Sequence, residues 1–211
     1  SPCVGTPSFG SSSTKELVQR FEQLIRKPDG LKEVCYYTDV DVRSELSRLK
    51  IGLPAKSAIW PLKGDRLIKT RRRVAGLHWP YAYRAGEAFG TPFAMHQEDY
   101  WLFSLNHLYA GEKIWIVVAP TSATDLENKL KEANSSWKAS CAQFLRHHST
   151  YVPCALLDEW DISYSIIHQM PGEVIITSPR AYHQGFSVGS TSAEAVNYAD
   201  TDWTPDSYVP C

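Results

Sequence analysis

No stretch of this 211-residue chain is apolar for long enough to cross a membrane as a helix: runs such as "IWIVVAP" fall far short of the ~20 residues a span needs. An excess of charge is missing as well. The net charge is −1, so no global field directs the molecule to nucleic acid or to a membrane surface, and neither partner is expected on that ground. The opening residues, "SPCVGTPSFGSSS", lack the basic start and apolar centre of a signal peptide. Cysteine is sparse and odd in number: Cys3, Cys35, Cys141, Cys154 and Cys211. That count argues against a secreted disulfide framework and for a reducing compartment, with some cysteines free to hold metal. There is no internal repeat, and no low-complexity segment beyond the Gly/Ser-rich start. The loop-like beginning and the end at Cys211 read as an excised domain.

What is present is an ordinary globular composition, 43% apolar and 21% charged, in a chain long enough for one domain with a sizeable core. The segment "SSTKELVQRFEQLIRKPDG" reads as a helix. Ser13 and Glu16 make a capping-box pattern, Leu17, Phe21, Leu24 and Ile25 form an apolar face, and Lys27, Pro28 and Gly30 signal its end. "VRSELSRLK" is a second, weaker helix. From about Ala58 the texture changes to short segments rich in Val, Ile, Tyr, Phe and Trp, separated by Gly and Pro: "AIWPL", "GLHWPYAYR", "TPFAMHQED", "LFSLNHLYA", "KIWIVVAP", then "SIIHQM", "EVIITSP", "HQGFSV" and "AEAVNYAD". This is the pattern of a β barrel or sandwich. Between the two groups of strands, "SATDLENKLKEAN", "SWKASCAQFLRHH" and "ALLDEWD" read as helices, so a helical insert is expected over about 121–160. The expected organisation is an N-terminal helical segment, 1–57, packed on a catalytic barrel, 58–211. The basic run "KTRRR", Lys69 to Arg73, is either a solvated strand or loop or an edge that meets an acidic or phosphate-bearing partner.

Chemistry concentrates in "TPFAMHQEDYWLFSLNHLYAGEKIW". On a strand, i and i+2 share a face, so "HQE" would aim His96 and Glu98 inward together and Gln97 away. An imidazole and a carboxylate on one face can share a metal with a third ligand from elsewhere. His183 in "SPRAYHQGF" offers one, 87 residues beyond His96. Two histidines and one carboxylate are the facial triad of non-haem ferrous oxygenases. Taken alone, His-x-Glu more often marks a hydrogen-bonded pair inside a barrel. Asn106 and Lys113 follow on strands otherwise suited to burial, and a buried lysine needs an anion, which a small dicarboxylate co-substrate would supply. An exposed lysine at a strand end is the plainer reading.

The same stretch, with "FLRHHSTYVP" and "PGEVIITSPRAYHQGFSVGSTSAEAVNYA", resembles the core of Jumonji-C (JmjC) domains, the iron(II) and 2-oxoglutarate dependent oxygenases that include histone lysine demethylases. The likeness is greatest to the trimethyl-lysine demethylase branch that pairs a JmjN segment with JmjC, although no clear JmjN segment is present here. The resemblance implies a mainly β fold, a double-stranded β-helix (a cupin-like jelly roll) with helices outside. It implies His96, Glu98 and His183 as iron ligands and Lys113 as the partner of the distal carboxylate of 2-oxoglutarate. Asn106, Phe93 and Trp115 would line the co-substrate pocket. A tyrosine from "YYTDVD", Tyr36 in preference to Tyr37, would share the distal carboxylate. "GLHWPYAY" resembles the strand beside a methyl-lysine pocket, with Gly76, Tyr81 and Tyr83 on it; Ala195, Val196 and Asn197 would complete that pocket from a late strand. For Tyr81 and Tyr83, plain core packing is the competing reading.

"CAQFLRHH" places Cys141 and His147 six apart, as in the relatives' structural zinc site, with Cys211 as a third ligand. The fourth ligand is then His148, Cys154, Cys3 or a residue beyond the chain end. The implied function is demethylation of methyl-lysine on a histone tail by a nuclear, monomeric catalytic domain using Fe(II), 2-oxoglutarate and a structural Zn(II). A JmjC hydroxylase of another protein or of a small molecule, and a non-catalytic JmjC reader or scaffold, are the alternatives.

Overall fold

The computed structural model describes residues 13–27, 29–31, 33–137, 141–204 and 208–210. Helix α1, Thr14–Ile25, starts at the anticipated capping box: the Ser13 side chain accepts from the Glu16 amide at 3.3 Å, and Glu16 Oε2 accepts from the Ser13 amide at 2.8 Å. Such a cap contributes ~1 kcal/mol. Leu17, Val18 and Phe21 are the buried residues of its inner face. Helix α2 is short, Glu45–Lys50.

The described residues hold nine strands, in chain order β1 (Tyr36–Asp41), β2 (Tyr81–Ala85), β3 (Thr91–His96), β4 (Phe103–Ala110), β5 (Lys113–Val118), β6 (Tyr164–Gln169), β7 (Val174–Thr177), β8 (His183–Ser187) and β9 (Thr191–Tyr198). They form a five-stranded sheet, β1-β2-β9-β4-β7, and a four-stranded sheet, β3-β8-β5-β6, with antiparallel pairing. The fold is thus the double-stranded β-helix of a jelly roll. The N-terminal stretch, expected to be helical, also supplies β1, which extends the larger sheet. Helices α3 (Ala123–Ala133) and α4 (Cys154–Glu159) lie between β5 and β6.

Alternation along β5 shows what the smaller sheet does. Ile114, Ile116 and Val118 are fully buried in the main apolar core, which lies under α1, α3 and α4. Lys113 and Trp115 point to the opposite face, toward the space between the sheets. Phe21 carries much of the packing: it is fully buried, stacks on Phe186 of β8 (centroids 4.2 Å) and meets Tyr151 edge-on at 5.1 Å. Truncating such an aromatic costs ~3–5 kcal/mol.

Three local expectations are corrected. "AIWPL" and the first half of "GLHWPYAYR" are not strands; residues 58–80 are turns plus one 3-10 turn at Arg66–Lys69. Pro61 and Pro80 have no amide to give a ladder, and Gly76 sits at φ +82°. Within "SWKASCAQFLRHH", residues 138–140 lie outside the described set. The remainder is a turn followed by a 3-10 turn, Phe144–His148, closed by left-handed Ser149. Burial of neighbouring Phe144 and Leu145 together overrides helix propensity there. The third correction concerns "HQE". Strand β3 stops at His96, and Glu98 is the extended residue before a 3-10 turn, Asp99–Trp101, in which Tyr100 and Trp101 have positive φ. Gln97 turns away from His96 and Glu98 and is buried, its Nε2 donating to the Ala142 carbonyl at 2.8 Å.

Candidate metal and co-substrate site

His96 ends β3 and His183 begins β8, directly opposite in register. Each histidine has Nδ1 against the backbone carbonyl two residues earlier, His96 on Ala94 at 2.7 Å and His183 on Ala181 at 3.1 Å. A carbonyl only accepts, so both rings carry a proton on Nδ1, and Nε2 is the nitrogen each turns to a ligand. The Nε2 of His183 lies 3.4 Å from Glu98 Oε1, and ligand atoms of His96, Glu98 and His183 fall within 4.8 Å of one another. Among the described residues this is the one such cluster. Two imidazole nitrogens and a carboxylate oxygen suit a divalent first-row metal, so the residues present fit iron(II).

Electrostatics match the geometry. Burial, followed by the neighbouring His183, pushes His96 down to about 3, which keeps the ring neutral. Burial alone would raise the Glu98 carboxyl. Hydrogen bonding and charge from His183, with a hydrogen bond from the Asn197 side chain, outweigh it and hold the Glu98 carboxyl well below the usual carboxylate range.

The triad opens on a cavity of about 270 Å³ between the sheets. Its wall brings together His96, Glu98 and His183 with Tyr36, Phe93, Asn106, Lys113 and Trp115, and with Gly76, Tyr81, Tyr83, Ala195, Val196 and Asn197. Tyr36 faces this space while Tyr37 is largely exposed on the other side of β1. Lys113 is only 2% exposed. Its Nζ lies 5.7 to 6.0 Å from the ring centres of Phe93, Tyr36, Tyr83 and Trp115. No carboxylate among the described residues pairs with it, and burial pushes its pKa down to about 8. Asn106 Oδ1, also buried, has no hydrogen-bond partner among the described residues. A buried cation and a spare acceptor in a small cavity fit an anionic, hydroxyl- or water-bearing guest better than an apolar one.

Two glycines shape the wall. Gly185 stands opposite both Phe93 and Trp115. A Cβ there would strike the Ile114 carbonyl oxygen and come within 2.6 Å of Phe93 Cζ, so only glycine lets the Phe93 and Trp115 rings meet at 4.7 Å. Gly76 holds φ +82°, and a Cβ on it would lie 2.6 Å from the Tyr81 ring. Its amide donates to Trp79, and its carbonyl accepts from the Asn197 amide at 3.0 Å, which ties this rim to β9. The glycine is therefore required by the turn and by Tyr81 packing.

Several wall residues escaped the sequence reading. Ser104 is two before Asn106 on β4, and strand alternation alone could have placed it. Asp39, in a bulge of β1 at φ +57°, accepts from the Tyr83 hydroxyl at 3.2 Å; nothing local signals that turn. Arg146 pairs with Asp99 at 3.1 Å on the rim. Gln169, fully buried behind the cavity, accepts from Trp115 Nε1 at 2.8 Å and donates to the Asn106 carbonyl at 2.9 Å, which locks both in place. Cys141 and His147 lie apart from this cavity, with Sγ 3.3 Å from Nε2; Cys211 lies outside the described residues. His148 stacks on Trp137 at 4.1 Å, and the Cys154 amide donates to Glu22 at the start of α4.

Comparison with known proteins places this geometry. A family model described as JmjC domain, hydroxylase, matches residues 87–198. "Lysine-specific demethylase rbr-2" of Caenorhabditis briggsae is 37% identical over 131 residues, covering 62% of this chain and 9% of that protein. "Lysine-specific demethylase 4D" of Rattus norvegicus is 37% identical over 134 residues, 62% of this chain and 25% of that protein. "Lysine-specific demethylase JMJ17" of Arabidopsis thaliana is 28% identical over 216 residues, 93% of this chain and 18% of that protein. The chain thus spans a quarter or less of each of these relatives. With the matched stretch running through His96, Glu98, Lys113 and His183, the chain belongs to the JmjC hydroxylase family of iron(II)- and 2-oxoglutarate-dependent oxygenases.

Proposed function

We propose that this domain removes methyl groups from methyl-lysine on a histone tail. The observation that carries the reading is one cavity in which three converging ligand atoms face a buried lysine with no carboxylate partner among the described residues, with an aromatic and apolar wall beside them. The names of the similar proteins support the substrate class. A histone substrate also makes the nucleus the site of action.

In this reading His96 and His183 give Nε2 and Glu98 gives Oε1 to iron(II). Lys113 supplies the charge, and Tyr36 a directed hydrogen bond, for the distal carboxylate of 2-oxoglutarate. Phe93, Trp115 and Asn106 confine the co-substrate. Iron with 2-oxoglutarate and dioxygen would supply, when bound, the oxidising power that converts an N-methyl group to formaldehyde, one oxygen atom of O₂ going to the methyl carbon and the other to succinate, with release of carbon dioxide. Such chemistry acts on a C–H bond and needs no nitrogen lone pair, so di- and trimethyl-lysine are both substrates in principle.

The chain's own residues hold the methylammonium. The Tyr83 hydroxyl donates its hydrogen bond to Asp39, which leaves its oxygen lone pairs free to accept. Those lone pairs accept the polarised methyl hydrogens, contacts worth ~0.5–1 kcal/mol each. Tyr81, Ala195 and Val196 exclude water from the remaining side. Asn197 orients Glu98. Tyr83→Phe should raise KM for methylated peptide and leave peptide-independent succinate release within about two-fold, because the phenylalanine ring keeps its packing against Tyr36. Unchanged KM would remove Tyr83 from the pocket. Hydroxylation of a different substrate, with no formaldehyde from any methylated histone peptide, would replace demethylation with the hydroxylase reading.

We also assign Cys141 and His147, with Cys211, to a structural zinc. The 3.3 Å approach of Sγ to Nε2 supports the first two.

A further inference from the structure

The run Lys63–Arg73, "KGDRLIKTRRR", has no part in the chemistry above. It holds six cationic side chains against one carboxylate, Asp65. Asp65 is buried and turned inward, its Oδ1 accepting from the amides of Leu67 at 3.0 Å and Ala199 at 3.2 Å. Arg66 donates to the carbonyls of Thr201 and Trp203, and Arg73 to that of Ile68. Those acceptors are neutral, and no carboxylate among the described residues pairs with either guanidinium. Lys63, Lys69, Arg71 and Arg72 are exposed, and no carboxylate among the described residues pairs with them.

This run is built into the rim of the cavity. His78 is buried and clips the loop shut: Thr70 Oγ1 meets its Nε2, the Val74 amide donates to its Nδ1 at 3.0 Å, and its own amide donates to the Val74 carbonyl at 2.9 Å. Val74 to Leu77 then form part of the cavity wall. The cations therefore begin immediately outside the site, on a braced loop. The wall itself carries Glu98 and Asp39, and Asp99 in its pair with Arg146. Carboxylates there suit a basic peptide, whereas the cations beyond would repel one. They need a separate polyanion that runs beside the peptide.

We propose that this rim docks the phosphate backbone of duplex DNA, without reading its sequence, while the cavity takes the peptide. Docking of this kind comes from Lys and Arg displacing counterions from the phosphates, and it is sequence-blind and steeply salt-dependent. It needs neither metal nor co-substrate, so it stands or falls apart from the demethylase reading.

The test is fluorescence anisotropy of a short labelled DNA duplex with the whole chain, over about 50 to 200 mM salt. The wild-type chain should bind with Kd in the ~1–100 μM range and weaken steeply with salt. Changing Lys69, Arg71 and Arg72 together to Gln should weaken binding at least ~10-fold and flatten the slope of log K against log salt by about 2.7, or about 0.9 for each phosphate left without its cation. A control triple of exposed lysines elsewhere, Lys15, Lys50 and Lys129 to Gln, should leave both nearly unchanged. Should the first triple fail to melt cooperatively, the single Arg71→Gln carries the same test with a slope change of about 0.9. Absent or salt-independent binding, equal weakening in both triples, or tighter binding of a polyglutamate peptide than of duplex would each overturn the proposal.

Discussion

Asn197 reaches from β9 to Glu98: its Nδ2 donates to Glu98 Oε2 at 2.9 Å and to the Phe103 carbonyl at 3.1 Å. The amide uses both protons in this way, and Glu98 is left with Oε1 turned to the histidines. Support of this kind orients a ligand that would otherwise rotate. Asn197→Ala should lower iron(II) affinity ~10–100-fold while the fold is retained. Metal titration of the purified domain measures this; wild-type affinity in the variant would show that Glu98 needs no such support.

Lys113 is the clearest case of a charge kept at a cost to stability. Its folded pKa is depressed, so the empty folded chain binds fewer protons than the unfolded chain between about pH 8 and the ordinary lysine range. The penalty for burying the charge is full below about pH 8 and fades as pH rises through that window. Lys113→Met should therefore stabilise the empty domain near neutral pH, by roughly 3 kcal/mol at most. It should also abolish the rise in Tm that 2-oxoglutarate confers on the wild type. In the wild type, co-substrate affinity should fall above about pH 8 as the ammonium is lost. Retained 2-oxoglutarate stabilisation in Lys113→Met would rule out the clamp.

On the outer face of the larger sheet, Glu194 is fully buried between Arg48 of α2, the Tyr109 hydroxyl and the Ser57 hydroxyl. It adjoins Ala195 to Asn197, so this network holds β9 where the cavity needs it. Arg48→Met alone should destabilise by ~3–5 kcal/mol, because it strands a buried carboxylate. Arg48→Met with Glu194→Leu should recover most of that stability in urea denaturation. Additive destabilisation in the double variant would mean that the pair is not coupled.

The zinc assignment makes a simple demand. Elemental analysis should find one zinc per chain that survives purification, and a strong chelator should lower Tm sharply because binding free energy is folding free energy. A zinc-free preparation with unchanged melting would dismiss it.

Much of this site is legible in the sequence, for a physical reason. Most residues of the cavity wall sit on strands with fixed alternation, so Asn106, Lys113 and Trp115 declare their faces, and α1 declares its start through Ser13 and Glu16. Residues held by turns do not. Glu98 keeps its alternation with His96 in extended backbone past the end of β3, but the positive-φ turn at Tyr100 and Trp101 that follows leaves no local mark. Asp39 depends on a bulge, and Gln169 on a cross-strand pairing with Lys113, and neither leaves a local mark. The 144–148 stretch gives up its helix to burial of adjacent apolar residues, a tertiary effect that propensity does not contain.

The most direct measurement is mass spectrometry of trimethyl- and dimethyl-lysine histone peptides incubated with the domain, iron(II), ascorbate and 2-oxoglutarate. Stepwise loss of one CH₂ per methyl group, abolished in His183→Ala and absent without 2-oxoglutarate, is the expected result. Peptides that keep every methyl group while the domain converts 2-oxoglutarate to succinate would contradict it.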